Sequence, residues 1–414
     1  MSLLVWKPNQ VIIPDELKAY LPVYEAGEAI HTYIERAFDH NRQRDTWLHS
    51  QAVAEQAQHL ARQYGANEEL SILAGWLHDL STVIPDTEKW TLACQYGLAT
   101  VEAERQVPFL LHQRLSAWIA QHVLGYEQWE LLHAIECHTT LRGDLELLDK
   151  LLFVADKLSW ADSDAAPYIA AMRKEAEVSL EQAIHVYIEA MLGEPGKLAV
   201  IHPWLEAARY TLAAEEYWRS LPALAAPIHW GPVTAHFQPR RILRPDQQAL
   251  VSNVSIVPMV GDQLVMIRLT DGRWELPGGT LEPQEAPMDG LQREVAEEMG
   301  GTLLNYHLFG CFACESSAPT AYRPHIPHPH FIRMAGYGQV KLDGKPLNPA
   351  DGEQIETVDI VTIEQAEQRF RSTGRDDLAD FYRMGYYAWQ QLQSGEAFID
   401  TEETGLLYSR SENE

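Results

Sequence analysis

The sequence predicts a multidomain chain in which an all-α helical bundle is followed by an α/β/α domain built on a mixed sheet. Three observations carry that prediction. The chain has 414 residues, more than one ordinary core organises, and 46% of them are hydrophobic. Apolar residues of the first half recur at helical spacing with no strand pattern between them. In the second half the spacing changes to short apolar runs bounded by turn signals, with one strong helix among them. These shifts place a helical domain over 1–220, a linker over 221–245, an α/β/α domain over 246–400 and a polar tail over 401–414.

Up to about residue 40 the chain mixes Pro, Tyr and polar residues around one helical stretch near 24–38. SQAVAEQAQHLARQYG then puts Val53, Ala57, Leu60 and Ala61 on one face and closes at Gly65, a helix-ending residue. EELSILAGWLHDLS follows, then QVPFLLHQRLSAWIAQHVLG, WELLHAIECHTT, DLELLDKLLFVADKLS and SLEQAIHVYIEAML, each with helical periodicity.

Along those helices stand His49, the adjacent pair His78-Asp79, His112, His138 and Asp156. Imidazole with carboxylate suits Fe²⁺, Mn²⁺ or Zn²⁺, and the extra histidines allow two ions. A metal pair can hold a water and two phosphate oxygens, which fits phosphoanhydride or phosphodiester cleavage. A histidine taken alone is more often a satisfied core or surface residue, and a lone His-Asp pair means nothing. The surrounding segments give the weight.

LAGWLHDLST, FLLHQRLSAWIAQ, AIECHTT and LLDKLLFVADKLS occur in one order, and AVIHPWLEAARYTL comes near the domain end. Together they resemble the YqeK-type HD proteins, the bacterial symmetrical diadenosine-tetraphosphatases, over roughly 45–215. The resemblance implies that His49, His78, Asp79, His112, His138 and Asp156 form the metal set. It also implies that Asp79 bridges two ions and acts in catalysis, with Lys157 beside the last ligand and near the substrate. Two departures bear on the substrate. Leu141 stands where the family has glycine, and SWADSDAAPY replaces an arginine-containing run. His133, His185 and His202 fall outside the set and read as structural.

From about 217 to 245 prolines recur and periodicity fades, so the stretch reads as a linker or strap whose apolar content packs on something. ALVSNVSIVPMV and QLVMIRL read as strands around a Gly261-Asp262 turn. TLLNYHLFGCFACES, FIRMAGYGQV and ETVDIVTI are further strands, and IEQAEQRFRS and DDLADFYRMGYYAWQQL are the last helices.

Between the early and late strands lies GTLEPQEAPMDGLQREVAEEMG. Pro287 suits a first helical turn and Gly300-Gly301 its end. Leu291, Val295 and Met299 form an apolar stripe, while Glu294, Glu297 and Glu298 gather on another face within reach of Arg293. Clustered carboxylates repel one another unless a cation sits among them, and Mg²⁺ or Mn²⁺ is the natural occupant. A solvated acidic face is the blander reading of an isolated EVAEEM. Here Gly279, Glu285 and Arg293 also stand in register, and the segment resembles the Nudix box of the Nudix hydrolases. That resemblance implies that Glu294, Glu297 and Glu298 are catalytic metal ligands, that Arg293 orients them and that Gly279 lets the loop turn beside them. Gly278, Gly279 and Glu285 are then candidate substrate contacts. Gly301 replaces the family's usual aliphatic residue and is expected to weaken packing at the helix end. In YRPHIPHPHFIR, Arg323, His325 and His328 are further candidate substrate contacts, with Tyr322 and His330 beside them; rings packed in a stiff proline loop are the alternative.

Lys+Arg 32 against Asp+Glu 59 gives a net charge of −27, which disfavours a nucleic-acid or membrane partner and leaves small-molecule nucleotides. Homo-oligomerisation is left open. The four cysteines build no disulfide framework, and Cys311 with Cys314 reads as part of a strand. With no signal-peptide pattern or membrane-length apolar run, a cytoplasmic location is expected. The expected function is a bifunctional metal-dependent nucleotide phosphohydrolase. The HD site would act on a nucleoside polyphosphate such as diadenosine tetraphosphate, and the Nudix site on a nucleoside diphosphate linked to another moiety. The alternative is one active hydrolase domain with the other a nucleotide-binding sensor.

Overall fold

The computed structural model describes residues 11–159, 167–194, 196–350 and 352–393. Most of SWADSDAAPY and the tail over 401–414 lie outside the described residues. Two compact units emerge, with the change-over between Arg209 and Tyr210.

The first unit is helical. Its helices are α1 (Ile30–His40), α2 (Arg44–Tyr64), α3 (Glu68–Leu77), α4 (Asp86–Gln95), α5 (Glu102–Gln106), α6 (His112–Trp118), α7 (Trp129–Cys137), α8 (Leu147–Leu158), α9 (Pro167–Glu175) and α10 (Leu180–Leu192), and α11 (Pro203–Arg219) contains the change-over. Asn67 caps α3 by accepting from Leu70 N–H at 3.1 Å, and Glu68 and Glu69 complement the helix dipole in its first turn. α2 packs on α3 and α8, and α7 packs on α3, α6 and α8. Val53, Ala57 and Leu60 of α2, Leu73 and Leu77 of α3, Leu131 and Ile135 of α7 and Leu151 of α8 are all buried. At Gly75 the two helices meet backbone to backbone, since a Cβ there would lie 2.5 Å from Ala54 Cα. That close crossing brings the α2 residue His49 to the end of α3.

The second unit is a mixed sheet between helices. Its elements are α12 (Pro222–Ala225), β1 (Ile228–Trp230), β2 (Val233–Pro239), α13 (Pro245–Gln248), β3 (Val251–Val260), β4 (Gln263–Leu269), β5 (Trp274–Glu275), β6 (Gly278–Thr280), α14 (Pro287–Met299), β7 (Gly301–Leu303), β8 (His307–Ser316), β9 (His330–Leu342), β10 (Ile355–Val361), α15 (Ile363–Ser372) and α16 (Asp376–Gln393). The main strand order is β1-β2-β8-β9-β3-β4-β10, with β3 and β9 parallel and the other neighbours antiparallel. α14 covers one face through Leu291, Val295 and Met299, against Val254, Ile256, Val265 and Ile267. α15 and α16 cover the other through Phe370, Leu378, Phe381 and Tyr382, against Val257, Met259 and Met266.

Two local expectations look different in three dimensions. Residues 221–245, expected as a linker or strap, carry β1 and β2, and β2 pairs with β8 along its length. Prolines at the strand ends hide the alternation there. Gly301, expected to weaken packing, is instead buried at the start of β7. A Cβ would stand 2.9 Å from Lys341 O of the paired strand, so glycine permits the close approach. Cys311 and Cys314 lie buried in β8, neither of them in a disulfide.

Candidate active sites

In the helical unit, His49, His78, Asp79, His112, His138 and Asp156 converge, although they are carried by separate elements. His49 Nε2 lies 2.9 Å from Asp156 Oδ1, and His78 Nε2 lies 3.4 Å from Asp79 Oδ2 and 3.7 Å from Asp156 Oδ1. His112 Nε2 and His138 Nε2 lie 3.2 and 3.6 Å from Asp79 Oδ1. Lys157 Nζ reaches the other oxygen of Asp156 at 2.5 Å.

Three of the rings are held alike. Nδ1 of His78, His112 and His138 meets the carbonyl three residues earlier, of Gly75, Phe109 and Ile135, at 2.8, 2.6 and 2.8 Å. A carbonyl can only accept, so each Nδ1 carries a proton and each ring turns its Nε2 inward, the atom that offers a lone pair to a cation. The consequence is electrostatic. His112 Nε2 and His138 Nε2 are 3.0 Å apart, and two facing lone pairs need a proton or a cation between them. His78 Nε2 is buried with no hydrogen-bond partner. Burial pushes His138 down to about 4. Burial also works against a charged His78, but the Asp79 and Asp156 carboxylates outweigh it and push the ring up to about 9. Burial alone would raise Asp79, yet the surrounding histidines hold it well below the usual carboxylate range. His49, His78 and Asp79 form one group able to hold a cation and Asp79, His112 and His138 another, so Asp79 belongs to both. This donor set fits one or two transition-metal ions.

The three histidines outside the predicted set also lie outside this cluster. His133 Nδ1 pairs with Asp149 at 2.8 Å beside Cys137, His202 Nδ1 accepts from Trp204 N–H at 3.1 Å, and His185 is exposed.

In the second unit the glutamates come from one helix face. Arg293 makes a two-pronged ion pair with Glu285 (2.9 and 2.9 Å) and reaches Glu294 at 2.8 Å and Glu297 at 3.4 Å. The strongest partner is therefore Glu285, where sequence spacing pointed first to Glu297. Glu298 accepts from Gly278 N–H at 2.9 Å. A Cβ on Gly279 would sit 2.0 Å from Glu294 Oε1, so glycine lets this loop pass beneath that carboxylate without displacing it. Glu294 and Glu298 are buried, and burial together with neighbouring negative charge raises both carboxyl groups above their ordinary range. A divalent cation relieves that arrangement, so these residues fit one.

The proline-rich loop is fastened to the box. Arg323 pairs with Glu282 at 2.7 Å and His325 Nε2 meets Leu281 O at 2.8 Å. Tyr322 and His328 instead line a cavity of about 370 Å³ beside Thr280, and His330 is exposed at the start of β9. Trp230, Asn253, Phe331 and Arg333 also line this cavity and were not read from sequence. The available signal was Arg333, a lone charge inside the apolar run FIRMAGYGQV.

A buried His/Asp cluster on a helical bundle and a glutamate helix over a mixed sheet are the marks of two metal-dependent phosphohydrolase classes. An HD domain model matches residues 46–161 and a NUDIX domain model matches 249–383. The chain is 34% identical over 142 residues to an uncharacterized protein of the pepC 5′ region of Lactococcus lactis subsp. cremoris, covering 34% of this chain and 72% of that one. It is 30% identical over 142 residues to a symmetrical bis(5′-nucleosyl)-tetraphosphatase of Halalkalibacterium halodurans, covering 33% of this chain and 72% of the relative. A MutT-like protein of Streptomyces ambofaciens is 44% identical over 64 residues, 15% of this chain and 41% of that one. The chain belongs to the HD family of the symmetrical bis(5′-nucleosyl)-tetraphosphatases through its N-terminal domain and carries a C-terminal NUDIX domain. It is thus a hydrolase with an HD phosphohydrolase domain and a Nudix pyrophosphohydrolase domain. Among the described residues, no helix is long and apolar enough to cross a membrane.

Proposed function

We propose that the chain is a bifunctional nucleotide phosphohydrolase with two independent sites. The HD site cleaves a nucleoside polyphosphate symmetrically, with diadenosine tetraphosphate and water giving two ADP. The Nudix site cleaves a nucleoside diphosphate linked to another moiety. The observation that carries the reading is Asp79, shared by two imidazole-carboxylate groups, in one of which His112 Nε2 and His138 Nε2 face one another at 3.0 Å.

His49, His78, Asp79, His112, His138 and Asp156 would hold Fe²⁺, Mn²⁺ or Zn²⁺, and Glu294, Glu297 and Glu298 would hold Mg²⁺ or Mn²⁺. Bound there, such ions supply charge neutralisation for the phosphates and a lowered pKa for water. The chain's own groups do the rest. The carbonyl-anchored histidines keep the first site rigid, so little reorganisation accompanies charge development. Lys157 fixes Asp156 and adds a cation near the phosphates. In the second site Arg293 and Gly278 N–H fix Glu294 and Glu298. Glu297, half-buried on the same helix face, would take the proton released when water attacks phosphorus and the bridging P–O bond breaks.

The test is a nucleotide-panel hydrolysis assay with Mg²⁺, Mn²⁺ or Fe²⁺ on Asp79→Ala and Glu298→Gln separately. Asp79→Ala is expected to abolish symmetrical tetraphosphate cleavage and spare diphosphate cleavage, and Glu298→Gln to do the reverse. Loss of the same activity in both variants would end the two-site reading.

A further inference from the structure

We infer that the cavity beside the box seats the heteroaromatic base of the Nudix substrate, with Trp230 as stacking residue and Arg333 as reader of a guanine-type edge. The inference rests on reading the box glutamates as the diphosphate site.

Register builds the cavity. Arg333 of β9 stands between Phe312 of β8 and Asn253 of β3. Asn253 Nδ2 donates to Thr280 Oγ1 at 2.9 Å, and Thr280 directly follows Gly279, the residue beneath Glu294. The cavity therefore adjoins the loop that meets the catalytic glutamates. Its other walls are mainly aromatic and apolar, with Trp230, Phe331, Tyr322 and Ile326, and they include Ser316, Thr320 and His328. Trp230 belongs to β1, which precedes the NUDIX-matched residues 249–383. This wall is thus supplied by the chain's own β1–β2 hairpin rather than by the matched segment.

Arg333 is the group that asks for a ligand. Its guanidinium carbon lies 5.4 Å from the Trp230 ring centroid, and its Nε is buried without a hydrogen-bond partner. A buried donor left without a partner is costly, and a planar fork is met best by two adjacent acceptors. Among base edges, guanine offers that pair in O6 and N7, whereas adenine places a donor beside N7. Asn253 is engaged by Thr280 and Ser252, and Arg333 brings the cationic fork to the cavity. Trp230 and Phe331 supply stacking surface for any base, and Arg333 supplies the choice between bases.

The test uses the full chain carrying Asp79→Ala, which silences the other nucleotide site. Dissociation constants with Mn²⁺ are measured by calorimetry for guanosine and adenosine α,β-methylene diphosphates and for methylenediphosphonate. The guanosine compound is expected to bind about tenfold tighter than the adenosine compound. Trp230→Leu is expected to weaken both nucleotides roughly tenfold to a hundredfold and to leave methylenediphosphonate unchanged. Arg333→Gln is expected to erase or reverse the preference, because Gln matches adenine. Should Trp230→Leu fail to fold, Tyr322→Ala decides, since Tyr322 is 86% exposed and outside the core. It is expected to weaken both nucleotides several-fold. Nucleotide constants unmoved by the aromatic substitutions overturn the inference. So does an Arg333→Gln loss equal for nucleotides and methylenediphosphonate, which would make Arg333 a phosphate contact. Base-selective binding of these analogues, with no turnover of hydrolysable guanosine or adenosine diphosphates linked to another moiety, would sink the Nudix hydrolase reading and leave the inference standing. Turnover indifferent to the base would do the opposite.

Discussion

The two sites gather candidate cation-binding groups by opposite routes. In the HD domain six side chains come from widely separated places in the chain, and three imidazoles are aimed by hydrogen bonds to the backbone of their own helical segments. In the Nudix domain three carboxylates come from one helix, and they are aimed by Arg293 and by the backbone of the box loop. The first arrangement depends on how helices cross, the second on what lies within one short segment. Damage should therefore look different. Single changes near the glutamates should cost activity and little stability, while changes to the helical frame should cost stability first.

The largest expected effect is at Gly279. Alanine there would put a Cβ 2.0 Å from Glu294 Oε1, so the carboxylate or the loop must shift. Misplacing a catalytic group by about 1 Å costs on the order of a hundredfold in rate. Gly279→Ala is expected to lower the Nudix kcat by about that factor with HD activity unchanged. Full Nudix activity would show that the box loop has slack and would weaken the contrast between the two sites.

Glu285 comes next. Its two oxygens hold Arg293, and Oε2 also accepts from Glu282 N–H at 2.8 Å. Glu285→Gln keeps the shape and removes the charge. Arg293 still holds Glu294, so the expected loss is about tenfold in kcat, with little change in melting temperature. An Mn²⁺ titration of the variant should show weakened binding, because Arg293 is then free to compete for Glu297.

How much of this was legible follows from the same contrast. The glutamate face, its arginine and its glycine lie within one 22-residue stretch, so the sequence displayed them together. The HD donors span residues 49 to 156, and only the order of whole segments marked them as a group. What stayed hidden depends on strand register. Trp230 sits in a proline-rich stretch whose strands are short and whose alternation is interrupted. Arg333 reaches the cavity because β9 lies between β8 and β3, a pairing that local periodicity does not specify. Glu285 was visible, but its role was not, because the loop that folds it back onto Arg293 leaves no periodic signal.

The helical frame offers a pH-dependent test. Lys150 Nζ meets Glu181 Oε1 at 3.0 Å and joins α8 to α10. Burial alone would raise the Glu181 carboxyl, but Lys150 and Ser179 outweigh it and hold the group down to about 2. A folded value below the unfolded one means that the unfolded chain binds the proton more readily. The stabilisation is therefore present above the ordinary glutamate range and lost as pH falls through about 2. Glu181→Gln is expected to destabilise the helical unit by about 1 kcal/mol at pH 7. The gap from wild type should close on acidification. Melting curves from pH 7 to pH 2 check this, and a gap that widens in acid would reverse the assigned sign.

The narrowest contrast concerns Leu141, at the position where the resemblance to the HD proteins implies a glycine. The structure keeps a glycine-like backbone there, with φ at 56°, while the leucine side chain is fully buried. Its N–H donates to Cys137 O at 2.7 Å, closing the turn that follows His138. The left-handed conformation costs a leucine about 1–2 kcal/mol, and burying the side chain returns roughly 1.5–3 kcal/mol. Leu141→Gly removes both terms and is expected to change stability by about 1 kcal/mol. Leu141→Ala gives up most of the burial and keeps the strain, so it should cost more, about 2–3 kcal/mol. Glycine is thus expected to outrank alanine at this position, the reverse of their order within a helix. Denaturant midpoints of the two variants decide it: if alanine proves the milder change, the turn after His138 is not under backbone strain and the leucine is an ordinary core residue.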